Sequence, residues 1–102
     1  MPDLSQGDII KIAGFSALFL IISKNAFIRS TGMFHVCPFL SSTASGPLHI
    51  AAAGNNGISG TAICEQIKLI DPSSRSCSRV DRIPYPALMD ISDAVQGIFE
   101  YD

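Results

Sequence analysis

Apolar residues in the first two thirds of the chain come in short bursts set off by turn-forming residues. Gly7-Asp8 opens Ile9-Ile10-Lys11-Ile12-Ala13, the pattern of a short strand with Lys11 turned to solvent. Gly14-Phe15-Ser16 reads as a tight turn, and Ala17–Ser23, continuously apolar with β-branched residues, predicts a strand buried on both faces. Met33–Cys37 predicts a third strand that ends at Pro38, because an imide nitrogen has no proton for a sheet ladder. Pro47–Ala53 predicts a fourth strand, Gly54-Asn55-Asn56-Gly57 a turn, and Ile58–Cys64 a fifth strand. That strand runs on into an apolar stretch with one acid, Glu65, set among Ala62, Ile63, Cys64, Ile67, Leu69 and Ile70, until Asp71-Pro72 breaks it. Cys77–Ile83 reads as a short, half-exposed strand. Met1–Gln6 reads as a frayed lead and Ser41–Gly46 as a flexible loop.

The period changes after Pro84 and Pro86. Leu88, Ile91, Val95, Ile98 and Phe99 fall on one helical stripe, with Asp90 and Asp93 placed toward the positive end of the helix dipole. Short strands with tight turns and one closing helix predict a mainly β fold. The expected form is a small, partly open antiparallel barrel with a C-terminal α-helix, one domain over residues 1–102.

Composition narrows the function classes. A net charge of −2 argues against holding nucleic acid by bulk electrostatics. The charge is unevenly spread: every Lys and Arg lies before residue 83, while Asp90, Asp93, Glu100 and Asp102 leave the tail purely acidic, so a local anion site remains open. Cys37, Cys64 and Cys77 have no metal-binding spacing, and Cys37 and Cys64 read as reduced, buried packing residues, which predicts a cytoplasmic protein with no cofactor and no metal. The longest apolar run, Ile12–Ile22, is about half the length of a membrane helix, so neither a span nor a signal peptide is expected.

The stretch Gly60–Arg75 resembles the C-terminal signature of the PemK/MazF toxins of type II toxin–antitoxin systems. It carries Cys64-Glu65-Gln66, then Lys68, Ile70-Asp71 and a downstream Arg75. Upstream, Phe27 to Gly32 is similar to the family's F-N-R-x-T-G with Ile28 in place of Asn, after a connection at Lys24–Phe27 that the family often makes helical. Pro38-Phe39-Leu40-Ser41 is similar to its Pro-hydrophobic-Thr-Ser. The resemblance implies an SH3-like barrel, a homodimer, an antitoxin partner, and metal-independent endoribonuclease activity on single-stranded messenger RNA. Glu65 would then act as the base or orient one, Arg75 would hold phosphate, and Ser41, Lys68 and Arg29 would contact substrate. On residue chemistry alone, Glu65 could instead pair with Lys68, and Arg75 could staple the turn by pairing with Asp71.

The resemblance fails at three places. The Arg expected two residues before the acid is Ile63, the Arg opening the second strand is Ala17, and the Thr after the Pro is Leu40. Losing one positioned donor of this type typically costs about a hundred- to a thousand-fold in rate. Lys11, Arg29, His35 and Lys68 are the stand-ins, though alternation puts His35 on the face away from Phe34, Val36 and Leu40. His49, between Leu48 and Ile50, has less to recommend it. Two other readings stand beside the nuclease: a CcdB-type toxin acting on DNA gyrase through the end of the C-terminal helix, and a decayed homologue that only binds an antitoxin.

Overall fold

The structure, a computed structural model, describes residues 3–44 and 46–102. Two expectations fall partly outside that range: Met1 and Pro2 of the lead, and Ser45 of the loop. Among the described residues seven strands run in chain order with two helices: β1 Asp8–Ile12, β2 Leu18–Ile21, α1 Asn25–Thr31, β3 Phe34–Leu40, β4 His49–Ala53, β5 Ser59–Ile63, β6 Lys68–Ile70, β7 Cys77–Arg82 and α2 Tyr85–Ile98. All pairings are antiparallel, in the order β4-β5-β3-β2-β1-β7, with β6 also on β3.

Both faces of the central strands are covered, which is why β2 reads as an unbroken apolar run. One face carries Ile9, Leu20, Cys37, Phe39, Ala62 and Cys64 against α2, whose Ile91 is fully buried. The other carries Ile10, Ile12, Phe19, Ile21, Phe34 and Val36. Lys11 is exposed, as alternation requires. The lead is anchored rather than frayed at its end: Gln6 donates its N–H to Asn25 Oδ1 at 2.8 Å and its side-chain amide to the Ile22 carbonyl at 2.9 Å.

The ends of the sheet meet through the β4–β5 turn. Asn55 N–H donates to the Arg82 carbonyl at 2.8 Å, and the Asp81 carboxylate accepts from the N–H groups of Asn56 and Ile58 at 3.0 Å each and of Arg82 at 2.7 Å. These bonds draw one edge of the sheet onto the other and bend it toward the expected barrel. Burial alone would raise the Asp81 pKa, but the N–H groups of Ile58, Arg82 and Asn56 outweigh it and the pKa is lowered.

Three further expectations are corrected. β3 does not stop at Pro38. The His35 carbonyl accepts from Ile22 N–H, so odd-numbered residues of β3 turn their main chain to β2 and Pro38 faces the opposite edge. On that edge β6 ends at Val36 and β5 begins at Phe39, so no donor is needed at Pro38. The apolar stretch around Glu65 is not one strand either: a turn from Cys64 separates β5 from β6. Finally, the first turn of α2 holds no acid, because the helix begins at Tyr85 and leaves Asp90 and Asp93 beyond the reach of its terminal dipole, and Phe99 caps the helix with its ring exposed.

Candidate functional site

The turn after β5 presents Glu65 to solvent instead of burying it. Its Oε2 lies 2.9 Å from Nε2 of His49, with both side chains partly exposed. The contact follows from register: His49 pairs with Ile63, and Glu65 lies two residues farther along, within diagonal reach of an imidazole. Neighbouring main chain holds the arrangement, since Cys64 N–H donates to the Leu48 carbonyl at 2.9 Å. The hydrogen bond from His49 lowers the Glu65 pKa, helped by a backbone bond at Glu65 and opposed by slight desolvation. Glu65 thus pairs with His49 and not with Lys68, which stands exposed on β6.

A second feature lies at the end of β3. Ser16, Ala17, Phe39, Leu40, Ser41 and Ser59 line a cleft of about 200 Å³. Two of the three departures from the PemK/MazF pattern, Ala17 and Leu40, therefore line the same cleft as Ser41 and give it a methyl and an isobutyl group. The third departure, Ile63, is buried and pairs with His49 on β4. By register, the Glu65 turn lies beside Cys37 and Pro38, a short step along β3 from this cleft.

Among the described residues Arg75 does not form the ion pair with Asp71 that residue chemistry offered. Asp71 instead accepts from Ser73 Oγ at 2.7 Å and Ser73 N–H at 3.0 Å, which lowers its pKa and closes the turn after β6 without Arg75. The Arg75 guanidinium lies over the Phe15 ring, 5.1 Å from its centroid, and Nη1 donates to the Ala13 carbonyl at 3.4 Å. These contacts hold Arg75 at the β1–β2 turn, whereas Glu65 lies on the β5–β6 turn, and neither lines the cleft. An exposed cation–π contact of this kind contributes about 0.5–1 kcal/mol. Arg75→Ala is therefore expected to lower stability by no more than about 1 kcal/mol, read by thermal unfolding. Arg29, on α1, lies away from both features in a separate cavity beside Arg79 and Arg82.

His35 is half-buried, flanked by Ile22 and by Leu69 of β6, with its Nδ1 2.8 Å from Ser23 Oγ and its ring beside Phe27. Cys37, Cys64 and Cys77 are buried free thiols, and burial beside Cys64 pushes the Cys37 pKa up to about 12. Among the described residues no cluster of His, Cys, Asp or Glu could hold a metal, and no helix is long and apolar enough to cross a membrane. Sequence reasoning passed over His49. The only signal that could have found it was its place on the strand that pairs with the one leading to Glu65.

No family profile matches the sequence, and no curated protein matches it. Solved structures do share the fold. A MazE–MazF complex from Deinococcus radiodurans superimposes with a TM-score of 0.81 at 18% identity, covering 97% of each chain. MazF from the same organism without MazE gives 0.78 at 17%, covering 93% of this chain and 94% of that one. An endoribonuclease in complex with its cognate antitoxin, from a mycobacterial species, gives 0.80 at 14%, covering 97% and 99%. At these identities the likeness establishes that the chain has the MazF fold.

Proposed function

We propose that this protein is the toxin component of a type II toxin–antitoxin pair and a metal-independent endoribonuclease acting on single-stranded RNA. The observation that carries this reading is the 2.9 Å contact between His49 and Glu65, on an accessible turn, at the acidic position of the C-E-Q run. Cleavage by the ribose 2′-oxygen requires a base for the 2′-proton and an acid for the departing 5′-oxygen. A neutral imidazole performs the first task, and the imidazolium so formed performs the second. Glu65 orients the ring and stabilises its charged form, as a carboxylate does for a catalytic histidine. Lys68, three residues from Glu65, and Arg75, at the β1–β2 turn, are the cations available to the phosphate.

The complexes of the same fold with antitoxins support an antitoxin as the partner here. Such a segment would lie along the cleft and compete with RNA. A homodimer and a cytoplasmic location go with the same reading. Purified protein incubated with a long single-stranded RNA and EDTA is expected to nick it at discrete positions. The apolar wall formed by Ala17 and Leu40 favours a second reading, an antitoxin-binding homologue that does not cut. Intact RNA under those conditions would select it, and gyrase-dependent double-strand breaks would select a CcdB-type action.

A further inference from the structure

The ladder between β1 and β7 slips by one residue. Ile9 pairs with Asp81 but Ile10 pairs with Arg79, leaving Val80 as the extra residue of a bulge. The slip reverses alternation, so Arg79 and Arg82, three apart in sequence, turn to the same side as Asp8. The Asp8 carboxylate is fully buried there. It accepts from Arg82 Nε at 2.8 Å and from Ser5 N–H at 2.8 Å, and lies 3.6 Å from Arg79 Nη1. Arg82 Nη2 also donates to Ser5 Oγ at 2.6 Å. Helix α1 brings a third guanidinium, Arg29, to the same hollow. The cavity is about 340 Å³, with Asn25 beside the arginines and Leu4 and Ile28 as an apolar wall.

We propose that this cavity binds the phosphate group of a nucleotide or oligonucleotide. Each guanidinium has five donor hydrogens, and the contacts to Asp8 and Ser5 use only some of those on Arg79 and Arg82. These two side chains remain 48% and 47% exposed, so their free donors face the cavity and solvent. Arg29 has no hydrogen-bond or ion-pair partner among the described residues. Asn25 Oδ1 accepts from Gln6 N–H, which leaves its amide hydrogens to donate. Asp8 and Asp3 offset two of the three positive charges, Asp3 from an exposed position on the lining, and an added anion meets the remainder.

Phosphate suits this arrangement better than carboxylate. Its tetrahedral oxygens engage planar forks arriving from several directions, whereas the two coplanar oxygens of a carboxylate match one fork. The buried Asp8 holds two of the three forks in place before any ligand arrives, which lowers the ordering cost of binding. The volume lies in the range of small-ligand sites, and Leu4 and Ile28 offer contact to a sugar or base. The cavity shares no residue with the cleft or the His49–Glu65 turn, so the proposal does not rest on the nuclease reading.

The test is titration of the full chain with AMP and with two short oligodeoxynucleotides of one sequence, one 5′-phosphorylated and one 5′-hydroxyl. Lacking a 2′-hydroxyl, the oligomers cannot be cut by the proposed chemistry, so binding is read apart from catalysis. Binding of AMP identifies a free nucleotide as a source. Preference for the 5′-phosphorylated oligomer identifies a terminal phosphate, and equal binding of the two identifies backbone phosphodiesters. In each case Arg29→Ala is expected to weaken binding about 10- to 100-fold, with an unchanged unfolding midpoint because Arg29 supports no other residue. Asp3→Asn is expected to tighten it. Absence of binding by every probe at millimolar concentration, or equal affinity in Arg29→Ala, overturns the proposal.

Discussion

Gly54→Ala is expected to lower the thermal unfolding midpoint by roughly 5–20 °C, the largest stability loss foreseen for any conservative change in this chain. A methyl group built on Gly54 would overlap the Asp81 carboxylate. That carboxylate cannot swing aside freely, because the N–H groups of Asn56, Ile58 and Arg82 hold it, and those bonds join the β4–β5 turn to β7. Overpacking of this kind costs about 1–3 kcal/mol even where the neighbour can relax.

The same carboxylate makes stability sensitive to acid. The folded Asp81 pKa lies below its ordinary value, so its contribution is complete above the ordinary aspartate range and is lost as pH falls through the folded value. Asp71, lowered by its Ser73 bonds, titrates with the same sign. Asp81→Asn is expected to be less stable than the parent at neutral pH and to show a shallower decline below about pH 4, read by denaturant unfolding across a pH series. An unchanged acid limb would mean that the carboxylate does not hold the sheet edges together.

The second large effect concerns RNA cleavage. Glu65→Gln and His49→Ala are each expected to reduce single-turnover cleavage by about a hundred- to ten-thousand-fold, the usual contribution of positioned acid–base groups. The double variant is expected to be little worse than either single one, because a carboxylate that works only through its imidazole has nothing left to support once the imidazole is gone. Additive losses would assign Glu65 a separate role. Full activity in both single variants would remove the proposed proton-transfer pair. The measurement is meaningful because both side chains are partly exposed, His49 at the start of β4 and Glu65 on the turn after β5, so neither substitution opens a cavity in the core.

The apolar runs and breaks were enough to find most of the fold. β1, β2, α2 and the Gly54–Gly57 turn are local patterns, each set by a short stretch of side chains and its flanking glycines or prolines. Pro38 was misjudged because its tolerance depends on which edge of β3 has no neighbour, a property of β5 and β6 rather than of the proline. The apolar stretch around Glu65 was misjudged in the same way. A run of apolar residues does not reveal that a turn divides it.

The candidate site was only half legible for a related reason. Glu65 could be singled out as one acid in a greasy stretch, and Ala17 and Leu40 as departures from the PemK/MazF pattern. His49 could not, since its partner is sixteen positions away and is chosen by strand register. Arg75 could be singled out as a phosphate cation but not placed, because its position over Phe15 arises from a contact between two turns far apart in the chain. Alone, the order of residues determined the class of fold, the strand and helix content, and which side chains had the chemistry to act. Tertiary structure decided which of them meet: His49 with Glu65, Asp81 with the far turn, and two arginines around a buried Asp8 by way of one bulged residue. Covalent neighbours set local conformation within a few residues, whereas register, bulges and closure of the sheet depend on burying both faces at once.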